Sequence, residues 1–173
     1  MKQQEERYPT VSELNGQLTQ PPVATAEMMI RKPVAAVFQA FVDPSVTSRF
    51  WFTGGSGMLE PGATVRWDWK MYDFSTQATV IEFEPDRRIR IDWATGDIPT
   101  EVEWRFTPRP DDTTLVSITN SGFQGNADER VAQAIGSTEG FAFVLAGAKA
   151  WLEHNVALNL VADRFPDGLG GNS

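Results

Sequence analysis

Between positions 63 and 121 apolar and polar residues alternate with a period of two, the pattern of strands with one buried and one wet face. In the stretch from Val65 to Met71, Val65, Trp67, Trp69 and Met71 are apolar while Arg66, Asp68 and Lys70 are charged. The same alternation predicts strands over 63–72, 77–84, 88–93, 101–107 and 113–121, separated by short turns rich in Pro, Gly and Asp. Linkers this short favour an antiparallel meander. One side of it carries both signs of charge, from Arg66, Asp68 and Lys70 through Glu82, Glu84, Arg88 and Arg90 to Glu101, Glu103 and Arg105, and belongs in water.

The period changes on either side of this block. A first strand is expected over 23–31, with Ala26, Met28 and Ile30 on one side. Pro33 then supplies the backbone angle favoured at a helix start, and Val34, Val37, Phe38 and Phe41 recur at spacings of three and four. Asp43 and Pro44 interrupt that helix, and a second short one is expected over 45–51. Beyond the sheet, Asn126 to Ile135 reads as a short helix and Gly136-Ser137 as a break. A long helix then runs to about Arg164, spanning about 39 Å at 1.5 Å per residue. Phe141, Leu145, Ala148 and Leu152 share its sheet-facing stripe. Residues 1–22 are polar and read as a flexible arm, 23–165 as one domain and 166–173 as a flexible tail.

Composition narrows the chemistry. The 173 residues, 41% of them hydrophobic, suit a single core. The absence of cysteine removes disulfides, thiol nucleophiles and thiolate-bound metals, and makes the cytoplasm the expected compartment. Fifteen Lys and Arg against 23 Asp and Glu give a net charge of −8, which disfavours nucleic acid and anionic membranes. No secretory leader is expected, and no run of roughly 20 apolar residues stands out as a membrane span. His154 is the single histidine and falls away from the sheet-facing stripe, so neither a catalytic triad nor a His-carboxylate metal site is expected. No cofactor is implied.

The order of elements, with Pro33-Val34-Ala35-Ala36-Val37-Phe38-Gln39-Ala40-Phe41, Asp43-Pro44 and Phe50-Trp51-Phe52, resembles the START-like, or Bet v 1-like (SRPBCC), superfamily. Three further stretches are similar to the family named after the activator of Hsp90 ATPase (AHSA1-like). They are Val80 to Ile89 ending in Asp92-Trp93, Thr114 to Phe123, and Glu139-Gly140-Phe141 with Leu152-Glu153. The resemblance covers residues 24 to about 155 and implies an α+β helix-grip fold. In that fold a curved antiparallel sheet of six or seven strands wraps a long C-terminal helix, with two short helices after the first strand. It also implies a ligand cavity between the concave sheet and the long helix.

The residues expected to face that cavity are Trp51, Phe52, Trp67, Trp69, Met71, Gln77, Thr79, Ile81, Phe83, Trp93, Trp104, Phe106, Phe141 and Leu145. Large flat rings on a curved sheet leave gaps that a helix carrying Ala142, Ala146, Gly147 and Ala148 does not fill. Each ring singly is a core residue first, and Phe50-Trp51-Phe52 reads equally as a gate or as a pin holding the helices to the sheet. Gly140 and Gly147 lie where a second backbone could approach, from within the chain or from another copy in a homodimer. The functional expectation is a non-catalytic module that holds an apolar or amphipathic small molecule, in a stress or signalling setting. Two alternatives stand beside it: a co-chaperone-like module that touches a larger protein, and a polyketide cyclase or dehydratase-like enzyme. For the last, Tyr72 and Asp73 at a strand end are the acid-base candidates.

Overall fold

The computed structural model describes residues 18–169. The arm expected over 1–22 falls mostly outside the described residues, as do positions 170–173 of the tail. Seven strands form one antiparallel sheet in the order β1-β7-β6-β5-β4-β3-β2. They are β1 Ala24–Ile30, β2 Gly54–Gly55, β3 Thr64–Trp69, β4 Phe74–Glu84, β5 Arg88–Ala94, β6 Thr100–Arg109 and β7 Thr113–Ser121. Between β1 and β2 lie the helices α1 Val34–Val42 and α2 Pro44–Thr47. After β7 comes α3 Ala127–His154, then a short α4 Leu160–Arg164. This is the helix-grip fold.

The two early helices meet because Asp43 serves both. Its backbone N–H closes α1 by donating to Gln39 O, and its carboxylate caps α2 by accepting from the Ser45 N–H at 2.8 Å. The buried Thr47 hydroxyl donates back to Ala40 O at 2.7 Å, fixing the corner. Phe38 and Phe41 then reach Phe106 on β6, at ring separations of 5.1 and 5.8 Å. These contacts fix the helix pair on the sheet.

α3 differs from expectation at both ends. It is continuous through Gly136 and Ser137, because its start lies ten residues earlier at Asn126. There a capping box closes, the Asn126 side chain accepting from the Glu129 N–H and the Glu129 carboxylate from the Asn126 N–H. It also stops sooner, at His154, where Asn155 adopts the left-handed conformation that ends helices (φ 56°). The apolar residues beyond it, Val156, Leu158, Leu160 and Val161, therefore belong to a segment that folds back, not to the helix. By length and composition α3 would suffice to cross a membrane, and no sequence reading singled it out as such. In this fold its apolar stripe, Phe141, Val144, Leu145 and Ala148, is buried on the sheet.

Two further expectations are corrected on β3 and β4. The strand expected over 63–72 ends at Trp69, and Lys70–Tyr72 forms a turn of 3-10 helix, so Met71 leaves the strand and is 40% exposed. On β4 the inward residues are Thr76, Ala78 and Val80, the opposite parity to Gln77, Thr79 and Ile81. A β-bulge between Val80 and Glu82 inserts one residue, and Phe83 returns inward only after it. Gln77 and Ile81 are exposed, and the Thr79 hydroxyl pairs with that of Thr64 at 3.0 Å on the outer face.

Candidate functional site

The concave face is lined by the side chains that alternate inward on β3, β5, β6 and β7, and its middle is filled. Trp51, delivered by the turn after α2, inserts its indole among Trp67 (4.9 Å between ring centroids), Trp93 (5.9 Å), Trp104 (6.0 Å), Phe141 (5.8 Å) and Phe52 (5.6 Å). Phe52 stacks on Trp67 at 5.2 Å, and Trp69 meets Trp51 edge-on at 6.3 Å. These are contact distances for packed aromatic rings, with no space for a guest between them. Trp51 pins the helical corner to the sheet. The indole N–H groups of Trp93 and Trp104 are buried and have no acceptor among the described residues, so each is an unsatisfied donor within an otherwise apolar cluster.

Open space remains at one end of the grip. A cavity of about 300 Å³ lies under the first half of α3, against the ends of β5, β6 and β7. Trp51, Trp93, Phe123 and Phe141 supply its aromatic wall, and Thr95, Thr100, Asn120, Gln133 and Ser137 its polar edge. Gly136 and Gly140 form its roof on α3, and Val161 of α4 closes one side. Among the described residues, no ionisable side chain lines it. A second cavity of about 190 Å³ lies behind Trp51 and Val161 and includes Met71, Gly147 and Leu158.

Of the residues expected at the cavity, the structure brings Trp51, Trp93 and Phe141 to it. Trp67, Trp69, Trp104, Phe52, Phe106 and Leu145 are in the packed core, and Phe83 is partly buried against Phe38 at 5.4 Å. Met71 borders the second cavity, while Gln77, Thr79 and Ile81 lie on the outer face. Thr100, Asn120, Ser137, Gly136 and Gly140 were missed. Asn120 shares the parity of Val116 and Ile118, and Thr100 that of Val102 and Trp104, so following each alternation to the strand end would have found them.

Asn120 organises the polar edge. It is 2% exposed, and its amide donates to Thr100 Oγ1 at 3.1 Å and to Glu101 O at 3.2 Å. Ser137 Oγ approaches Asn120 Oδ1 at 3.4 Å, a long and weak contact.

The segment after α3 is tied across the rim. The Tyr72 hydroxyl donates to Val161 O at 2.5 Å, Phe165 packs edge-on against the Tyr72 ring at 6.3 Å, and Arg164 Nε reaches Glu139 Oε1 on α3 at 2.9 Å. Burial, with the nearby Asp163 carboxylate, pushes the Tyr72 hydroxyl above its ordinary pKa. The group expected as an acid-base candidate thus holds α4 in place through its proton. Asp73 caps the 3-10 turn with φ 48° and does not line the cavity.

The family described as Activator of Hsp90 ATPase homolog 1-like protein matches residues 31–147. The chain belongs to that family. Among solved structures, a Staphylococcus saprophyticus protein, SSP2350, is 27% identical with a TM-score of 0.68, over 79% of this chain and 95% of that one. The Aha1 dimer from Colwellia psychrerythraea is 18% identical with a TM-score of 0.65, over 76% and 96%. DynU16, from the dynemicin biosynthetic locus, is 20% identical with a TM-score of 0.65, and the match spans 79% of this chain and 49% of that one. No curated protein matches the sequence. The Hsp90-activator-like match spans α1 to β7 and the first three quarters of α3, and so covers most of the cavity wall.

Proposed function

We propose that this protein binds an apolar or amphipathic small molecule in the 300 Å³ cavity beneath the first half of α3. The observation that carries the reading is the pair Gly136 and Gly140. Glycine inside a helix costs about 1 kcal/mol relative to alanine, so two cost roughly 2 kcal/mol. That cost has to be offset. At Gly147 the reason is packing, since an added Cβ would lie 3.0 Å from Phe50 Cβ and 3.1 Å from its carbonyl oxygen. At Gly136 and Gly140 an added Cβ would meet nothing within 4 Å. Gly140, half-buried, borders the cavity and keeps that space open, while Gly136 is exposed at its mouth; the volume is at the low end of the range that ligand sites occupy, about 300–1,000 Å³.

Holding a guest is favoured over turning one over because no titratable side chain among the described residues lines the cavity and the Tyr72 hydroxyl is engaged with α4. A protein-docking role finds less support on the outer face of the sheet. There Arg88 and Arg90 are matched by Glu82, Glu84, Glu101 and Glu103, leaving few charges for a partner to meet.

Native mass spectrometry of the purified protein tests the reading. A retained small molecule that is released on denaturation, and is absent from Gly140→Leu, is the expected result. Retention undiminished in Gly140→Leu would place any guest elsewhere and remove this cavity from the function.

A further inference from the structure

The polar edge of the cavity narrows the chemistry of its guest, an inference that rests on the binding reading above. Both N–H bonds of the Asn120 amide are spent on Thr100 Oγ1 and Glu101 O. Thr100, 6% exposed, therefore accepts through its oxygen, and its own hydroxyl proton has no acceptor among the described residues. Ser137 Oγ has only the 3.4 Å contact to the same carboxamide. Two hydroxyls thus flank one buried amide, each with a proton that is free or weakly held. Two such donors on one edge suit a single acceptor oxygen.

The remaining walls set charge and size. The cavity opens to solvent beside Thr95, Gln133 and Gly136, but an ionised group held against its aromatic wall would lose part of its water and find no counter-charge among the described lining residues, which disfavours it. The aromatic wall of Trp51, Trp93, Phe123 and Phe141 suits a flat apolar body. A dry cavity of about 150 Å³ admits one benzene ring, so 300 Å³ corresponds to a body of two rings.

We propose that the cavity between α3 and the ends of β5 to β7 selects an uncharged, flat, two-ring molecule carrying one carbonyl oxygen, which Thr100 and Ser137 receive while Asn120 holds Thr100 in place. Thr100 and Ser137 are the specificity-determining contacts. Asn120 is the positioning residue.

Three probes of one shape separate the requirements: 2-acetylnaphthalene, naphthalene and 2-naphthoate, titrated by calorimetry at pH 7 against the full chain. The neutral ketone is expected to bind at least about 10-fold more tightly than the carboxylate, since an unpaired buried charge costs more than the 1.4 kcal/mol that corresponds to tenfold. Thr100→Val and Ser137→Ala are each expected to weaken the ketone about 3- to 10-fold, the range of one neutral hydrogen bond, and to leave naphthalene unchanged. Thr100→Ser, which keeps the hydroxyl, should restore ketone binding. Equal or tighter binding of 2-naphthoate overturns the proposed ligand class, as does indifference of the ketone to both hydroxyl deletions, while sensitivity to Gly140→Leu would still uphold the cavity as a binding site. Absence of binding by all three probes, or binding that Gly140→Leu leaves intact, overturns both.

Discussion

Trp51→Ala tests whether the middle of the grip is solid. The Trp51 side chain is 8% exposed and touches rings from three strands and α3, so nearly all of its surface is removed from water. A buried aromatic side chain covers about 150–250 Å², worth about 4–6 kcal/mol at 25 cal/mol per Å². That figure is an upper bound, because the unfolded chain already shields part of the ring. Truncations of buried aromatics to alanine cost about 3–5 kcal/mol, and we expect a value in that range. For a chain of this length each kcal/mol shifts Tm by about 2–4 °C, giving a fall of about 6–20 °C. Urea unfolding followed by circular dichroism should show the midpoint falling with the slope unchanged, the sign of lost packing and not of an altered unfolded state. Trp51→Phe, which keeps one ring in place, should lose less than half as much. A loss below about 1 kcal/mol for Trp51→Ala would mean that the surrounding indoles close over the gap, and the division of the concave face into a filled middle and an open end would fail.

Three other predictions concern the frame around the cavity. Gly147→Ala should destabilise by about 1–3 kcal/mol, because the Phe50 backbone and Cβ would have to give way to the added Cβ, whereas Gly140→Ala should stabilise by up to about 1 kcal/mol; both are read by thermal unfolding, and equal effects would refute the contrast. Tyr72→Phe removes the bond to Val161 O and should cost about 0.5–1.5 kcal/mol, with faster amide exchange confined to the segment from Asn155 to Phe165; unchanged exchange there would show that α4 is held by its other contacts. Burial would raise the Glu153 carboxyl, but hydrogen bonds from Lys149 Nζ and the Arg31 backbone N–H outweigh it and hold it below its ordinary 4.5. With a depressed folded-state pKa, its stabilising contribution is full above pH 4.5 and fades as pH falls through the lower folded value, so the stability gap between wild type and Glu153→Gln should shrink below pH 4.5; a gap that stays constant there would contradict the assignment.

Where the alternation was unbroken, the fold was legible. Val65, Trp67 and Trp69, then Ile89 and Ile91, then Val102, Trp104 and Phe106 all point inward as their spacing requires. β4 was misread because a bulge is invisible to a strict period of two, and Ile81 is apolar enough to pass for a core residue on either parity. Gly136-Ser137 carries the local chemistry of a helix break, yet the cap at Asn126 and the stripe beyond it keep α3 continuous. The opposite end was readable in principle, since asparagine readily takes the left-handed geometry that ends helices and Asn155 adopts it, but the apolar residues that follow, Val156, Leu158, Leu160 and Val161, masked the signal. The cavity's position was not readable. It depends on where one indole, that of Trp51, comes to rest, and no periodicity encodes that.

The two ends of α3 show why the open space lies where it does. Along its C-terminal half the helix is drawn onto β1: Glu153 accepts from the Arg31 N–H at 2.7 Å, Lys149 Nζ donates to Met29 O at 2.8 Å, and the missing side chain at Gly147 admits the Phe50 backbone. Along its N-terminal half no ion pair with the sheet forms among the described residues, and at Gly136 and Gly140, which border the cavity, an added Cβ has nothing within reach. One residue type thus plays opposite parts on one helix. At 147 glycine lets protein come close, and at 140 it leaves the cavity wall open. A helix that served only to cover the sheet would gain stability from alanine at 136 and 140 without any packing cost. Retaining glycine there is consistent with a function that depends on volume, and a substitution that fills the space while strengthening the helix separates the two demands.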